Sequence, residues 1–162
     1  MFFNPGPLFF FQQRIGINNT VFNICKFRSL PVLYEHNQQT LWKKGYDLQI
    51  SIFSKLLRKS RIDELPQIIS VIKGYMSFIG PRPQRPEVVE QLKKEIPVYD
   101  YRHLIKPGLT GWAQVNQGHV TSKFDCMEKL QYDLYYLKNR SLILDFIIII
   151  KTIHILLFTL GK

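Results

Sequence analysis

Apolar residues change their spacing along the chain, and the change separates an N-terminal hairpin from a series of helices. Aromatic and β-branched residues fill positions 8–11 and 21–27, on either side of the turn-forming residues 16–20. Two strand-forming runs joined by such a segment predict a β-hairpin. The polar, irregular stretch 30–49 that follows predicts a loop with one short helix at most.

From residue 50 onward, apolar residues recur three and four positions apart, as they do on one face of a helix. Five helices are predicted, beginning at Ile50, Asp63, Pro86, Ser122 and Leu142. Pro66 and Pro86 suit early helical positions, which have no intrahelical N–H bond to lose. Ser122 and Asp125 form a variant of the capping box that opens helices.

A loop is predicted between the third and fourth helices, at residues 106–112, because Pro107 and Gly108 in sequence favour a type II turn. We find no internal repeat and no low-complexity linker. The pattern therefore predicts an α+β fold, mainly helical with an N-terminal β-hairpin, in one domain of residues 1–162.

The C-terminal run 142–160 approaches the length of a bilayer span, about 20 residues. Asp145, Lys151 and His154 interrupt it, and each would be costly at the centre of a bilayer. We therefore predict an amphipathic helix that lies on or partly in a membrane surface, or that packs in the core, rather than a membrane span.

Composition favours a folded, basic protein with an anionic partner. Lys and Arg number 22 against 12 Asp and Glu, a net charge of +10, and 46% of the residues are apolar, enough for a core. Nucleic acid, an anionic membrane leaflet and a phosphorylated substrate all remain open. The histidines have no metal-binding spacing, GxxxxGK[ST] and GxGxxG motifs do not occur, and the two distant cysteines predict reduced thiols.

Asp63 and Glu64 are two adjacent carboxylates in this basic chain. They have an ordinary interpretation, with Asp63 as a helix N-cap and Glu64 as a favourable first-turn acid. The same position suits catalysis, because an ionised aspartate can attack phosphorus and a glutamate can ligate Mg²⁺. The two interpretations are compatible.

Arg82 lies between two prolines in the sequence Gly-Pro-Arg-Pro. The prolines can simply stiffen a loop, but Pro83 also restricts Arg82 to an extended backbone and so fixes the direction of a planar phosphate-binding group. Lys26 and Arg28 flank an aromatic residue at the end of the hairpin, where they are either solvated strand charges or anion ligands.

Seven motifs occur in one order along the chain: GPLFF (6–10), QRIG (13–16), KFR (26–28), LRKS (57–60), DELPQ (63–67), GPRP (80–83) and PGLTGWAQ (107–114). In these motifs the chain resembles the bacterial sugar transferases, over nearly its whole length. Members of this family are monotopic polyprenyl-phosphate sugar-1-phosphate transferases, also called phosphoglycosyl transferases.

The resemblance implies an enzyme at the cytoplasmic face of the bacterial inner membrane. It would transfer a sugar-1-phosphate from a UDP-sugar to undecaprenyl phosphate, release UMP, and so initiate exopolysaccharide, capsule or O-antigen synthesis. By the family's mechanism, Asp63 would form a covalent phosphosugar intermediate and Glu64 would hold Mg²⁺. The phosphate or anionic substrate ligands would be Arg82, Lys26, Arg28 and Arg58.

The start of the chain departs from this family, whose members carry a hydrophobic segment before the Gly-Pro-x-Phe-Phe motif that dips into the membrane. Only residues 1–5 precede Gly6 here. We therefore expect the N-terminal re-entrant helix to be absent, and the alternative function is a truncated, inactive module that binds a membrane surface. The expected partners are a UDP-sugar, undecaprenyl phosphate and a membrane, without nucleic acid, and self-association into a homo-oligomer is left open.

Overall fold

Helices dominate the structure, a computed structural model that describes residues 7–30, 51–118 and 123–158. The strands are β1 (Phe9–Ile15), β2 (Val21–Phe27), β3 (Ser77–Ile79) and β4 (Gly108–Thr110). The α-helices are α1 (Ile52–Lys59), α2 (Ile68–Ile72), α3 (Pro86–Glu95), α4 (Trp112–Asn116), α5 (Lys123–Asn139) and α6 (Leu142–Phe158). Short 3₁₀ segments are Ile17–Asn19, Ile62–Gln67 and Tyr99–Leu104. The predicted α+β class is confirmed, and the division into a single domain stays a prediction.

The predicted N-terminal hairpin is confirmed, with a first strand that runs further than expected. β1 and β2 pair antiparallel, with Phe9 opposite Phe27 and Ile15 opposite Val21. Asn18 and Asn19 in the connection have positive φ angles of 50° and 59°, which asparagine tolerates better than most residues. Residues 31–49 of the loop predicted at 30–49 and the predicted cap Ser122 lie outside the described residues.

The helix predicted to begin at Asp63 is instead two segments. Ile62–Gln67 forms a 3₁₀ turn that leads into α2. Pro66 has no N–H to donate to the carbonyl of Ile62, so the first α-helical hydrogen bonds cannot form there. Arg61 holds the position before the turn with a φ of 58°, and Asp63 lies within the turn. The prediction that Asp63 caps a helix is therefore wrong.

The type II turn predicted at Pro107 and Gly108 is also wrong. Gly108 begins β4, which pairs parallel to β3, with Ser77 opposite Gly108 and Ile79 opposite Thr110. A type II turn would need a positive φ at Gly108. Gly74 is the one glycine with a positive φ in the described part of the chain. Close approach explains the glycines here, because a Cβ on Gly108 or Gly111 would overlap backbone atoms of Gly80.

Replacing Gly111 with alanine is expected to destabilise the fold strongly. The added methyl group would collide with the backbone oxygen of Gly80, which cannot rotate away as a flexible side chain can. We expect the free energy of unfolding to fall by about 2 kcal/mol or more. The matched control is Gly118→Ala, because a Cβ at Gly118 meets no atom of the described residues within 4 Å apart from its chain neighbours. Urea denaturation of both variants tests this, and equal midpoints would contradict the close approach.

The core consists of three apolar clusters that hold the helices against the strands. α3 packs against β1 and α5 through the apolar residues that its spacing predicted: Val88, Val89, Leu92 and Ile96. The hairpin packs through Phe22 and Ile24 on Met76. α6 is anchored by Leu144 and Ile148.

Two of the predicted helices keep much of their apolar surface exposed. α1 exposes Ile52 by 86% and Leu56 by 60%, and α6 exposes Leu142 by 88%. Nowhere in residues 7–30, 51–118 and 123–158 is a helix both long and apolar enough to cross a membrane.

Candidate active site

Glu64 lies at the centre of a cluster of charged side chains drawn from three parts of the chain. Its Oε1 accepts hydrogen bonds from Lys26 Nζ on β2 at 2.9 Å and from Arg82 Nη2 at 2.5 Å. Its Oε2 accepts a longer bond from Arg82 Nη1 at 3.2 Å. The Glu64 side chain is only 15% exposed, so these pairs are screened little by solvent. Burial alone would raise the pKa of Glu64, but Arg82 and Lys26 hold it below its ordinary value.

The loop that carries Arg82 is fixed at every carbonyl from Pro81 to Gln84. The two prolines of this loop have no backbone N–H to donate. The four backbone carbonyl oxygens accept hydrogen bonds from distant segments: Pro81 O from Gly108 N (2.9 Å), Arg82 O from Arg102 Nη2 (2.9 Å), Pro83 O from Arg14 Nη1 (3.1 Å) and Gln84 O from Ile15 N (2.9 Å). Such tethers reduce the freedom of the backbone around Arg82. The guanidinium is therefore presented to Glu64 from a rigid support.

Arg102 anchors this support in the protein interior. Its Nη2 lies 2.8 Å from Asp133 Oδ2 on α5, its Nη1 donates to Tyr99 Oη at 2.7 Å, and both charged side chains are 2% exposed. Burial acts against its charge, but Asp133 and Tyr99 keep the pKa of Arg102 above its ordinary value. The charged state of Arg102 is therefore secured where it bonds the Arg82 carbonyl.

Asp63 has a different environment from its neighbour. Its Oδ1 is buried and has no hydrogen-bond partner among the described residues. Burial, and then the charge of Glu64, raise the pKa of Asp63, while Lys26, Arg58 and Arg61 act in the opposite direction. Two adjacent carboxyl groups thus have pKa values shifted in opposite directions.

This contrast indicates which carboxylate can react. The oxygens of Glu64 are held by cations, which makes them poor nucleophiles, whereas Asp63 retains an unpaired and more basic oxygen. Opposed pKa shifts in a neighbouring pair are a common sign of divided catalytic roles. Together with the surrounding cations, the arrangement suits nucleophilic attack by Asp63 on a phosphoryl group.

The same pair could hold a divalent cation only together with a ligand that brings its own oxygens. Among the residues that the structure describes, no group of three or more His, Cys, Asp or Glu side chains could hold a metal ion. Mg²⁺ commonly uses one or two carboxylates and takes its other ligands from substrate phosphates and water. Glu64 Oε2, which accepts one 3.2 Å hydrogen bond from Arg82 and lies 3.9 Å from Arg61 Nη1, fits that donor set together with Asp63 Oδ1.

The structure brings together three of the residues that the sequence singled out: Lys26, Glu64 and Arg82. Asp63 adjoins them in the same turn. Arg58 is exposed on α1 and acts on Asp63 through its charge. Arg28 follows β2 and ties the hairpin through its backbone N–H, which donates to Leu8 O at 2.9 Å. The catalytic and substrate roles of all six predicted residues stay predictions.

Sequence reasoning missed Arg14, Gln67 and Arg102. Arg14 lies on β1, where alternate residues are partly buried, and its place in the QRIG motif is the sequence signal that could have found it. Asp133 falls on the apolar stripe of α5, and an acid there signals a buried cationic partner. Gln67 is the last residue of the DELPQ motif, and that motif is the sequence signal that could have found it.

Comparison with known proteins gives consistent matches. A family model described as bacterial sugar transferase matches residues 1–159. A UDP-N-acetylgalactosamine-undecaprenyl-phosphate N-acetylgalactosaminephosphotransferase of Aeromonas hydrophila is 45% identical over 98% of this chain. A UDP-glucose:undecaprenyl-phosphate glucose-1-phosphate transferase of Xanthomonas campestris pv. campestris is 42% identical over 92% of the chain. An uncharacterized sugar transferase, EpsL, of Bacillus subtilis (strain 168) is 34% identical over 96% of the chain.

The matched regions are parts of larger proteins in the first two cases. This chain spans 37% of the length of the Aeromonas protein and 31% of the Xanthomonas protein. It covers 73% of the Bacillus protein.

Proposed function

Because this chain belongs to the bacterial sugar transferase family, we propose that it transfers a sugar-1-phosphate from a UDP-sugar to undecaprenyl phosphate. The observation that carries the proposal is the contrast within the acidic pair. Asp63 has a buried oxygen without a partner in the described structure, while Glu64 is fixed by Lys26 and Arg82. The printed activities of the two undecaprenyl-phosphate relatives give the substrate class.

The reaction has two halves. In the first, a carboxylate oxygen of Asp63 bonds to the sugar-bearing phosphorus, the bond from that phosphorus to the bridging oxygen breaks, and UMP leaves with the electron pair. In the second, a phosphate oxygen of undecaprenyl phosphate attacks the same phosphorus and Asp63 leaves as a carboxylate. Each bond formed is matched by one broken, and the kinetics are ping-pong.

The cations and the acid beside Asp63 have separate tasks. Arg82 and Lys26 neutralise the charge on the equatorial phosphoryl oxygens, and Arg28 and Arg58 attract the anionic substrates. Mg²⁺, when bound with the nucleotide, neutralises charge on the diphosphate. Glu64 would hold it.

The exposed apolar residues of α1, α2 and α6 suit attachment to the cytoplasmic face of the bacterial inner membrane. Ile52, Ile72 and Phe146 are 86%, 80% and 63% exposed, and exposed side chains of this size favour a lipid interface. There the lipid acceptor and the cytosolic nucleotide sugar can both be reached. Initiation of exopolysaccharide, capsule or O-antigen synthesis would follow, and assembly into a homo-oligomer is compatible with this placement.

A second candidate function rests on the same exposed helices. A module that binds the membrane surface without turnover would also place apolar residues of α1 and α6 outward. It would not need a buried, unpartnered carboxylate oxygen at Asp63, and we therefore place it second.

A panel of UDP-sugars separates the two functions. We expect purified protein in detergent with Mg²⁺ and undecaprenyl phosphate to release UMP from at least one UDP-sugar. Without the lipid, release should stop at about one UMP per chain, since the covalent intermediate cannot turn over. Sedimentation with liposomes but no UMP from any donor would favour the non-catalytic module.

A further inference from the structure

A narrow cleft lies between the hairpin and the Arg82 loop, and its lining includes the two cations that bind Glu64, Lys26 and Arg82. It has room for about one water-sized group. The residues that line it come from both strands of the hairpin, the 3₁₀ turn and the Arg82 loop: Arg14, Ile24, Lys26, Gln67, Arg82 and Pro83. A space of this size and lining suits one oxygen atom of a larger anion whose remainder lies outside.

Two hydrogen-bond donors of the cleft lining are buried without partners in the described residues. Gln67 is 3% exposed, and its Nε2 has no acceptor among the described residues. Arg14 Nε is also buried without an acceptor there. Buried amide and guanidinium N–H groups are nearly always paired in folded proteins. Both donors would be satisfied by an acceptor that enters the cleft.

Positive charge around the cleft exceeds the negative charge that contacts it. Lys26 and Arg82 form their ion pairs with the same carboxylate, Glu64, and Arg14 donates to the neutral oxygens of Pro83 and Gln12. Burial, and then the charges of Arg82 and Arg85, lower the pKa of Arg14 to about 9. Lys26 and Arg82 also interact with the charge of Asp63, so three cations face two carboxylates, and the remaining positive charge favours the entry of another anion.

We propose that this cleft is an oxyanion subsite, in which Gln67 Nε2 and Arg14 Nε donate to one oxygen of a phosphoryl group. Lys26 and Arg82 neutralise the charge of that group. The subsite rests on the proposed function and adds two binding residues to it. The phosphoryl group belongs either to the nucleoside diphosphate donor or to the polyprenyl phosphate acceptor, whose oxygens have the same chemistry.

Gln67 allows a sharper test than Arg14, because Arg14 also tethers the Arg82 loop. Gln67→Leu removes the buried donor and keeps nearly the same volume. If Gln67 has only a structural role, replacing its unpartnered buried donor with an apolar residue costs no stability and leaves anion binding unchanged. If Gln67 binds the anion, the Gln67→Leu variant has a lower affinity for it while the fold keeps its stability.

The test measures the affinities for UDP and for a polyprenyl phosphate in detergent, together with the thermal midpoint. For Gln67→Leu we expect an unchanged or higher midpoint and at least one of the two affinities weaker by about tenfold, the value of one hydrogen bond to a charged group. Loss for UDP alone assigns the subsite to the donor, and loss for the lipid alone assigns it to the acceptor. The control Gln91→Leu, on the exposed face of α3, should bind both as the unaltered chain does.

Gln67→Glu is the second variant, and it keeps the test decisive if the leucine substitution unfolds the chain. Its carboxylate would be accommodated by Arg14, Lys26 and Arg82 and would repel a phosphate, so affinity should fall further than in Gln67→Leu. Unchanged affinities in both variants, or no binding of either compound by the unaltered chain, would overturn the subsite. If UMP release occurs while Gln67→Leu binds normally, the transferase function stands and the subsite fails. If Gln67→Leu binds UDP more weakly but the unaltered chain releases no UMP, the subsite stands and the transferase function fails.

Discussion

Asp63→Asn is expected to abolish sugar-phosphate transfer while the fold remains intact. The amide keeps the shape of the side chain but cannot attack phosphorus, and loss of a catalytic nucleophile lowers turnover by roughly a thousandfold or more. UMP release with undecaprenyl phosphate present measures this. Because two steps pass through the same oxygen, the small release expected without lipid should disappear as well.

The stability of Asp63→Asn provides an independent signature. Burial and Glu64 raise the pKa of Asp63, so its ionised form destabilises the folded state above the pKa that the group has in the unfolded chain. Removing that charge should leave the thermal midpoint unchanged or raise it. Asp100→Asn, at a 44% exposed carboxylate of an ion pair with Lys93, is the control that should retain activity. Full turnover by Asp63→Asn would remove Asp63 from the mechanism.

Glu64→Gln is expected to damage both the fold and the activity. Lys26 and Arg82 would lose their shared counter-ion, and an unpaired buried charge lowers the free energy of unfolding by about 3 kcal/mol. Activity should fall by roughly a hundredfold or more, because the cations and any Mg²⁺ lose the carboxylate that holds them. Chemical denaturation and UMP release measure the two effects.

The pH dependence of stability separates this charge from packing. The folded-state pKa of Glu64 is lowered, so its contribution to stability is present above its ordinary value of 4.5 and is lost as the pH falls below it. Below pH 4.5, the free energy of unfolding of Glu64→Gln should therefore fall less steeply with decreasing pH than that of the unaltered chain. Glu90→Gln, on the exposed face of α3, should follow the unaltered chain. If the free energy of unfolding of Glu64→Gln changed with pH in parallel with that of the unaltered chain, the ion pairs of Glu64 would be contradicted.

The elements that could be predicted from sequence are those that local spacing determines. The hairpin follows from two aromatic and β-branched runs on either side of a turn segment. α3 and α6 follow from the helical spacing of apolar residues, with Pro86 at the start of α3. The turn predicted at Pro107 and Gly108 was wrong because glycine also suits a close approach of two backbone segments. Here Gly108 and Gly111 lie against the backbone of Gly80, a tertiary contact that the local sequence does not show. The broken helix at Asp63 could have been foreseen, since Pro66 cannot supply an early α-helical bond.

The candidate site divides in the same way. Asp63 and Glu64 are adjacent, and ordered motifs pointed to them and to Arg82. Sequence spacing could not show that Glu64 meets Lys26, 38 positions away, or that Asp63 and Glu64 have opposite pKa shifts. Those features depend on burial and on which cations converge, and both arise only from tertiary packing.

In the proposed reaction, Asp63 carries the sugar-phosphate covalently between donor and lipid. The mass of the purified chain after incubation with a productive UDP-sugar, in the absence of undecaprenyl phosphate, tests it most directly. We expect the mass to increase by one sugar-phosphate, located on the peptide that contains Asp63. The amount of modified chain should equal the UMP released, and the modification should be reversed when the lipid is added. UMP release with no change in mass, or attachment to another residue, would contradict the claim.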